Sequence, residues 1–143
     1  MFSLIIGSLV LISDQILKTY FVKILLKDES MPVIENIFHI SLVYNTGGAF
    51  GIFQNRTGLF VAISIAAIFF IALFYIKLKN RALIYKIAIP LVLGGAASNL
   101  MDRLRFGFVI DYLDFRVWPV FNIADASISV GVCLLLLHAF LKR

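Results

Sequence analysis

Two carboxylates stand in unusually apolar surroundings. Asp111 lies within Gly107-Phe-Val-Ile-Asp-Tyr-Leu, and Asp125 follows Phe121 by four residues, at the head of the last long hydrophobic segment. Burial penalises a lone ionised carboxylate heavily. Two of them brought together cannot both ionise cheaply, so they hold one proton between them and can activate water. That is the chemistry of an aspartyl peptidase: the ionised partner takes a proton from water, and the protonated one polarises the scissile carbonyl and later serves the leaving amine. Fourteen residues separate the two, so a short return loop has to join the elements that carry them.

Those elements belong in a membrane. Of 143 residues, 62% are hydrophobic and 15% charged, with a mean hydropathy of +1.00. A soluble domain is nearer half apolar and a quarter charged, and so small a globule could not hide the excess. The reading is a mostly α membrane protein: a single membrane domain, residues 1–143, with four transmembrane helices and a small extracytoplasmic β-rich subdomain. The net charge of +5 does not form a basic stripe with interleaved aromatics, so no nucleic-acid partner is expected. Cys133 has no second cysteine to pair with, and His39 and His138 have no partner at ligand spacing; neither metal nor cofactor is expected.

The first helix covers about 1–21. Asp14 and Lys18 fall four apart on one face, as an interfacial ion pair or as the lining of a polar cleft. Residues 33–56 are rich in β-branched and aromatic side chains around the turn Asn45-Thr-Gly-Gly. Gly47 and Gly48 allow close backbone approach, and Phe38, Tyr44, Phe50 and Phe53 suit a membrane interface. A second helix, 57–76, belongs to a run of 20 uncharged residues between Arg56 and Lys77 and faces lipid. The loop 77–86 holds four bases and no acid, and Lys142 and Arg143 close the chain. By the positive-inside rule this loop and both termini are cytoplasmic, which puts 33–56 and 103–120 outside.

The third helix, about 82–102, contains Pro90, which loosens it, and Gly94-Gly-Ala-Ala-Ser98, which admits a close neighbour. Asn99 and Arg103 share one face. The fourth helix, about 121–141, opens with Asn122 and Asp125, readable as an N-cap and a charge favoured by the helix dipole. Trp118-Pro119 suits an interfacial anchor and Gly131 a packing contact. The polar residues thus gather at the outer helix ends, where Lys18, Asn45, Asn99, Arg103 and Asn122 can orient the two carboxylates and hold a peptide. A proton- or cation-coupled transporter could use the same carboxylates as a relay, but it would place them near the midplane, often in repeats, and no repeat is evident. A non-enzymatic chaperone docking partners on 33–56 leaves the carboxylate pair unexplained.

Five motifs, Asp14-Gln-x-x-Lys18, Asn45-x-Gly-x-Ala-Phe50, Gly94-Gly-Ala-x-x-Asn99-x-x-Asp-Arg103, Gly107-x-Val-x-Asp111 and Phe121-Asn-x-Ala-Asp125, resemble in order those of the lipoprotein signal peptidases, the type II signal peptidases of bacteria. The resemblance covers nearly the whole chain. It implies an aspartic endopeptidase of the bacterial cytoplasmic (inner) membrane that cleaves a diacylglyceryl-modified prolipoprotein just before the lipidated cysteine. It also implies inhibition by the cyclic peptide globomycin. Asp111 and Asp125 map onto the catalytic aspartates. Asp14, Lys18, Asn45, Gly47, Asn99, Arg103 and Asn122 map onto the substrate-binding or supporting set. Membrane lipid is an expected partner and a monomer the favoured state. Two positions depart from the family: Ser98 where glycine is usual, and Tyr112 where phenylalanine is usual.

Overall fold

The computed structural model describes residues 1–48, 53–78 and 82–142. The elements are α1 (Phe2–Ile24), β1 (Ser30–Ile34), β2 (Phe38–Asn45), α2 (Thr57–Lys77), α3 (Leu83–Phe106), β3 (Val109–Asp114) and α4 (Ile123–Leu141). The expected interfacial role of Phe50, and the bases Lys79, Arg81 and Arg143 of the topology argument, lie outside the described residues.

All four helices are long and apolar enough to cross a membrane. At 1.5 Å per residue, 19 to 24 residues reach roughly the 30 Å of a hydrocarbon core. α3 runs four residues beyond the expected 102, to Phe106, where Gly107 in the left-handed conformation (φ 81°) closes it and turns the chain toward β3. α4 begins at Ile123, two residues later than expected, because Phe121 pairs with Leu113 and Asn122 is the cap. α3 is the hub, packed against the other three helices. Its small residues make this possible. A Cβ on Gly94 would come within 2.5 Å of the Gly7 carbonyl oxygen, and one on Gly95 would collide with the Ala124 carbonyl. Gly131 of α4 lies equally close to the Ala88 carbonyl.

α3 runs on through Pro90. Proline has no N–H for the Lys86 carbonyl four residues back. The Ser3 hydroxyl of α1 donates to that carbonyl instead, at 3.1 Å, and itself accepts from the Tyr75 hydroxyl of α2 at 2.6 Å. α2 has no buried residue, in keeping with a lipid-facing helix.

The sheet has order β1-β2-β3 and is antiparallel. It is not confined to 33–56. β1 starts at Ser30, and the third strand is Val109–Asp114, delivered by the loop after α3. Chain connectivity sets the sheet at the end of the bundle where α1 and α3 finish and α2 and α4 start. Leu42, Ile110 and Tyr112 are fully or nearly buried and pack with Leu25 against Leu17 and Phe21 of α1. Phe121 exchanges backbone hydrogen bonds with Leu113 (2.8 and 3.0 Å). That short return brings the first turn of α4 beside β3.

Close α3–α4 contact yields a direct test. Gly95→Leu drives a side chain into the Ala124 carbonyl, and overpacking of this kind costs about 3 kcal/mol or more. Thermal unfolding in detergent should show a clear fall in Tm for this variant. Gly58→Ala, where nothing lies within 4 Å, should show no loss.

Candidate active site

Asn122 organises the site. It is the N-cap of α4, and with Asp125 it forms a capping box. The Asp125 amide donates to Asn122 Oδ1 at 2.8 Å, and the Asn122 amide donates to Asp125 Oδ2 at 3.3 Å. The plain capping reading is therefore correct, and the same residue does more. Its Nδ2 donates to Asp111 Oδ1 at 2.7 Å and contacts Asn99 Oδ1 at 3.1 Å. One fully buried side chain thus holds the Asp125 backbone amide through its oxygen and the Asp111 carboxylate through its nitrogen.

Each carboxylate has a second amide. Asn45 Nδ2 donates to Asp111 Oδ2 at 3.0 Å, and Asn99 Nδ2 donates to Asp125 Oδ1 at 2.7 Å. Asn45 is steadied in turn by the Gly47 amide, which donates to its Oδ1 at 3.0 Å. β-sheet register explains why Asn45 can reach: Val43 pairs with Asp111 and Asn45 with Val109. Asp111 is 2% exposed. Burial, and then the charge of Asp125, push its pKa up to about 7, against the hydrogen bonds from Asn45 and Asn122 and the charge of Lys18. Both carboxylates line a cavity of about 1500 Å³ between the sheet, α3 and α4, together with Asn45, Asn99 and Arg103. Arg103 donates to the Gly47 carbonyl at 3.2 Å, and its guanidinium lies 5.1 Å from the centre of the Phe60 ring.

Behind this site lies a buried ionic cluster. Asp14 and Lys18 do pair, at 2.7 Å, but they are 0% and 1% exposed, so the interfacial reading fails. Lys18 Nζ also meets Asp102 Oδ2 at 2.7 Å and donates to Asn99 Oδ1 at 3.0 Å. Its three protons are thereby all used. Neither Asp14 nor Lys18 hydrogen-bonds Asp111 or Asp125. Their route to the carboxylates is Asn99, whose oxygen Lys18 holds so that its nitrogen faces Asp125. Asp102 and Gln15 join the cluster, although spacing alone assigns them no role. Gln15 Nε2 donates to Asp102 Oδ1 at 2.8 Å, and the Ile110 amide donates to Asp102 Oδ2 at 3.2 Å. The available signal was an acid three residues after Asn99 in an apolar helix, one turn along the same face.

Ser98 and Tyr112 converge on one carboxylate. Ser98 Oγ donates to Asp14 Oδ2 at 2.6 Å, and the Tyr112 hydroxyl donates to Asp14 Oδ1 at 3.0 Å. Burial and the Asp14 charge push the Tyr112 hydroxyl well above its ordinary range, so it remains a donor.

Residues 6–141 match the family model for signal peptidase (SPase) II. The chain belongs to the signal peptidase II family. A lipoprotein signal peptidase of Halothermothrix orenii is 42% identical over 134 residues, covering 94% of this chain and 92% of the relative. One from Moorella thermoacetica is 42% identical over 132 residues, covering 92% and 88%. A solved bacterial membrane enzyme structure superposes with a TM-score of 0.91 at 33% identity, covering 98% of this chain and 87% of that one. This signal peptidase II family member is thus a multi-pass membrane protein of four helices.

The buried cluster should respond steeply to loss of its cation. Lys18→Met leaves Asp14 and Asp102 unpaired, which costs about 3–5 kcal/mol. Tyr112→Phe and Ser98→Ala each remove one donor to Asp14, at about 1–3 kcal/mol. Denaturation in detergent should show Lys18→Met as the least stable of the three, and an unchanged Tm for it would contradict the cluster's structural role.

Proposed function

We propose that this protein is an aspartic endopeptidase that removes the signal peptide from diacylglyceryl-modified prolipoproteins, cleaving before the lipidated cysteine. The observation that carries this reading is the Asn122 side chain, tied to Asp125 on one side and Asp111 on the other within a single cavity. Asp111 and Asp125 act as the catalytic pair. With a pKa near 7, Asp111 has its acid form available at neutral pH and carries the shared proton. Asp125 is the anion. It takes a proton from water as the oxygen attacks the scissile carbonyl, while Asp111 donates a hydrogen bond to the developing oxyanion. The amine then leaves with the proton Asp125 received. No covalent intermediate is needed.

Asn45, Asn99 and Asn122 hold the carboxylates in register, and Asp14 and Lys18 act behind Asn99. Arg103 and Gly47, at the cavity wall, bind the peptide backbone. Ile128 and Val130 of α4 also line the cavity, and give acyl chains an apolar wall continuous with the bilayer. Globomycin, as a cyclic peptide, competes for this space. The protein works as a monomer in the bacterial cytoplasmic membrane. Lys77 and Lys142 mark the end opposite the sheet as cytoplasmic, so the sheet and the carboxylates face outward.

The test is single replacement of Asp111 or Asp125 by Asn, assayed with purified protein and a diacylglyceryl-modified precursor. Both variants should keep the wild-type far-UV spectrum and a cooperative melt, and lose cleavage by roughly 10³-fold. Turnover near the wild-type rate in either variant would remove that residue from the reaction.

A further inference from the structure

A second recess lies between α1 and α3, with a volume of about 520 Å³. Leu11, Ile12 and Ile16 from α1 and Met101 from α3 give it an apolar wall, and the polar Gln15 and Thr19 that share the lining are already hydrogen-bonded, to Asp102 and to the Gln15 carbonyl. Ile12 and Ile16 are more than half exposed, so no other part of the described chain covers them. Its mouth is cationic. Lys23 and Arg105 line it from the last turns of the two helices, and both are exposed. No acidic side chain lines the recess among the described residues. Neither cation forms an ion pair there. The nearby Asp102 is already committed to Lys18, Gln15 and the Ile110 amide.

We propose that this recess binds one anionic phospholipid from the leaflet on the sheet side of the protein. Charge complementarity selects the headgroup. Two cations at neighbouring helix ends, with no acid between them, repel one another unless an anion joins them. A phosphate suits this role, since the Arg105 guanidinium can hold two of its oxygens and the Lys23 ammonium a third. Depth selects a lipid over a free ion. From Lys23 down to Leu11 the helix rises roughly 18 Å, close to half a hydrocarbon core. In a bilayer a recess lined by Ile12, Ile16 and Met101 is filled by acyl chain, because no water reaches it. The bound lipid would clamp α1 to α3, the two helices that carry Lys18 and Asn99. The inference does not depend on which residues perform catalysis.

The experiment equilibrates purified protein with mixed micelles containing equal parts phosphatidylglycerol and phosphatidylcholine, then counts retained lipid by native mass spectrometry. Each cation near an anionic headgroup strengthens binding about fivefold, so two give roughly twenty-five-fold selectivity for phosphatidylglycerol. The double variant Lys23→Gln, Arg105→Gln should bring selectivity to within about twofold, while Lys23→Arg, Arg105→Lys should keep it. Lys142→Gln, at the opposite end, should change nothing. Should the neutral double variant fail to fold, each single neutral variant should still lower selectivity about fivefold. No preference in the wild type overturns the proposal, as does a preference that survives both neutral replacements. A dimer that forms through this face without lipid selectivity overturns it too.

Discussion

Lys18 is a cationic side chain buried almost completely, and the interior of this bundle is arranged around it. An isolated buried ammonium is expensive, and the expense falls only when every proton has an acceptor. Here the acceptors come from three different places: Asp14 one turn earlier on α1, and Asp102 and Asn99 on α3. Asp14 is a buried charge in its turn, and it takes the Ser98 and Tyr112 hydroxyls and the Ala124 amide at 3.3 Å. Satisfying one cation therefore recruits α1, α3, α4 and β3. The cluster leaves one free hand, the Asn99 amide nitrogen, and that points at Asp125.

Hydrogen bonds of 2.6–3.0 Å between helices require the backbones to come close. Gly7, Gly94, Gly95 and Gly131 supply that approach at contacts where a methyl group would collide or crowd. In lipid, where burying apolar surface adds little, such packing together with the polar cluster is what holds the helices. The sheet plays the complementary part. Its register sets Asn45 beside Asp111, and the Leu113–Phe121 pairing starts α4 at the right point. Two aspartates fourteen positions apart are then tied to a single asparagine, which donates its side-chain amide to the Asp111 carboxylate and its backbone N–H to the Asp125 carboxylate.

Much of this was legible in the chain, for definable reasons. Unbroken apolar runs gave the helices, since a span has to satisfy its own backbone. Asp14 and Lys18 shared a face by spacing alone, and Asn122 announced a cap. Other features depend on pairings between distant segments, which spacing does not encode. Composition points to a sheet local to 33–56, yet its third strand arrives from beyond α3. Asp102 and Gln15 stand inside the sequence motifs without a role of their own, because each looks ordinary on its own helix and acquires meaning only across the α1–α3 contact. Ser98 and Tyr112 stood out as separate oddities in the sequence. Only the folded chain shows both hydroxyls reaching the same Asp14 carboxylate.

A shared-proton pair requires Asp111 and Asp125 to sense each other's charge. That is measurable by following the Asp111 carboxyl stretch by infrared spectroscopy, with Asp111 assigned by comparison with Asp111→Asn, as pH is raised. In the wild type the protonated band should persist to about pH 7. In Asp125→Asn, which removes the neighbouring anion, Asp111 should give up its proton at clearly lower pH. A wild-type Asp111 that ionises in the ordinary carboxylate range, or a titration unmoved by Asp125→Asn, would contradict the shared-proton pair.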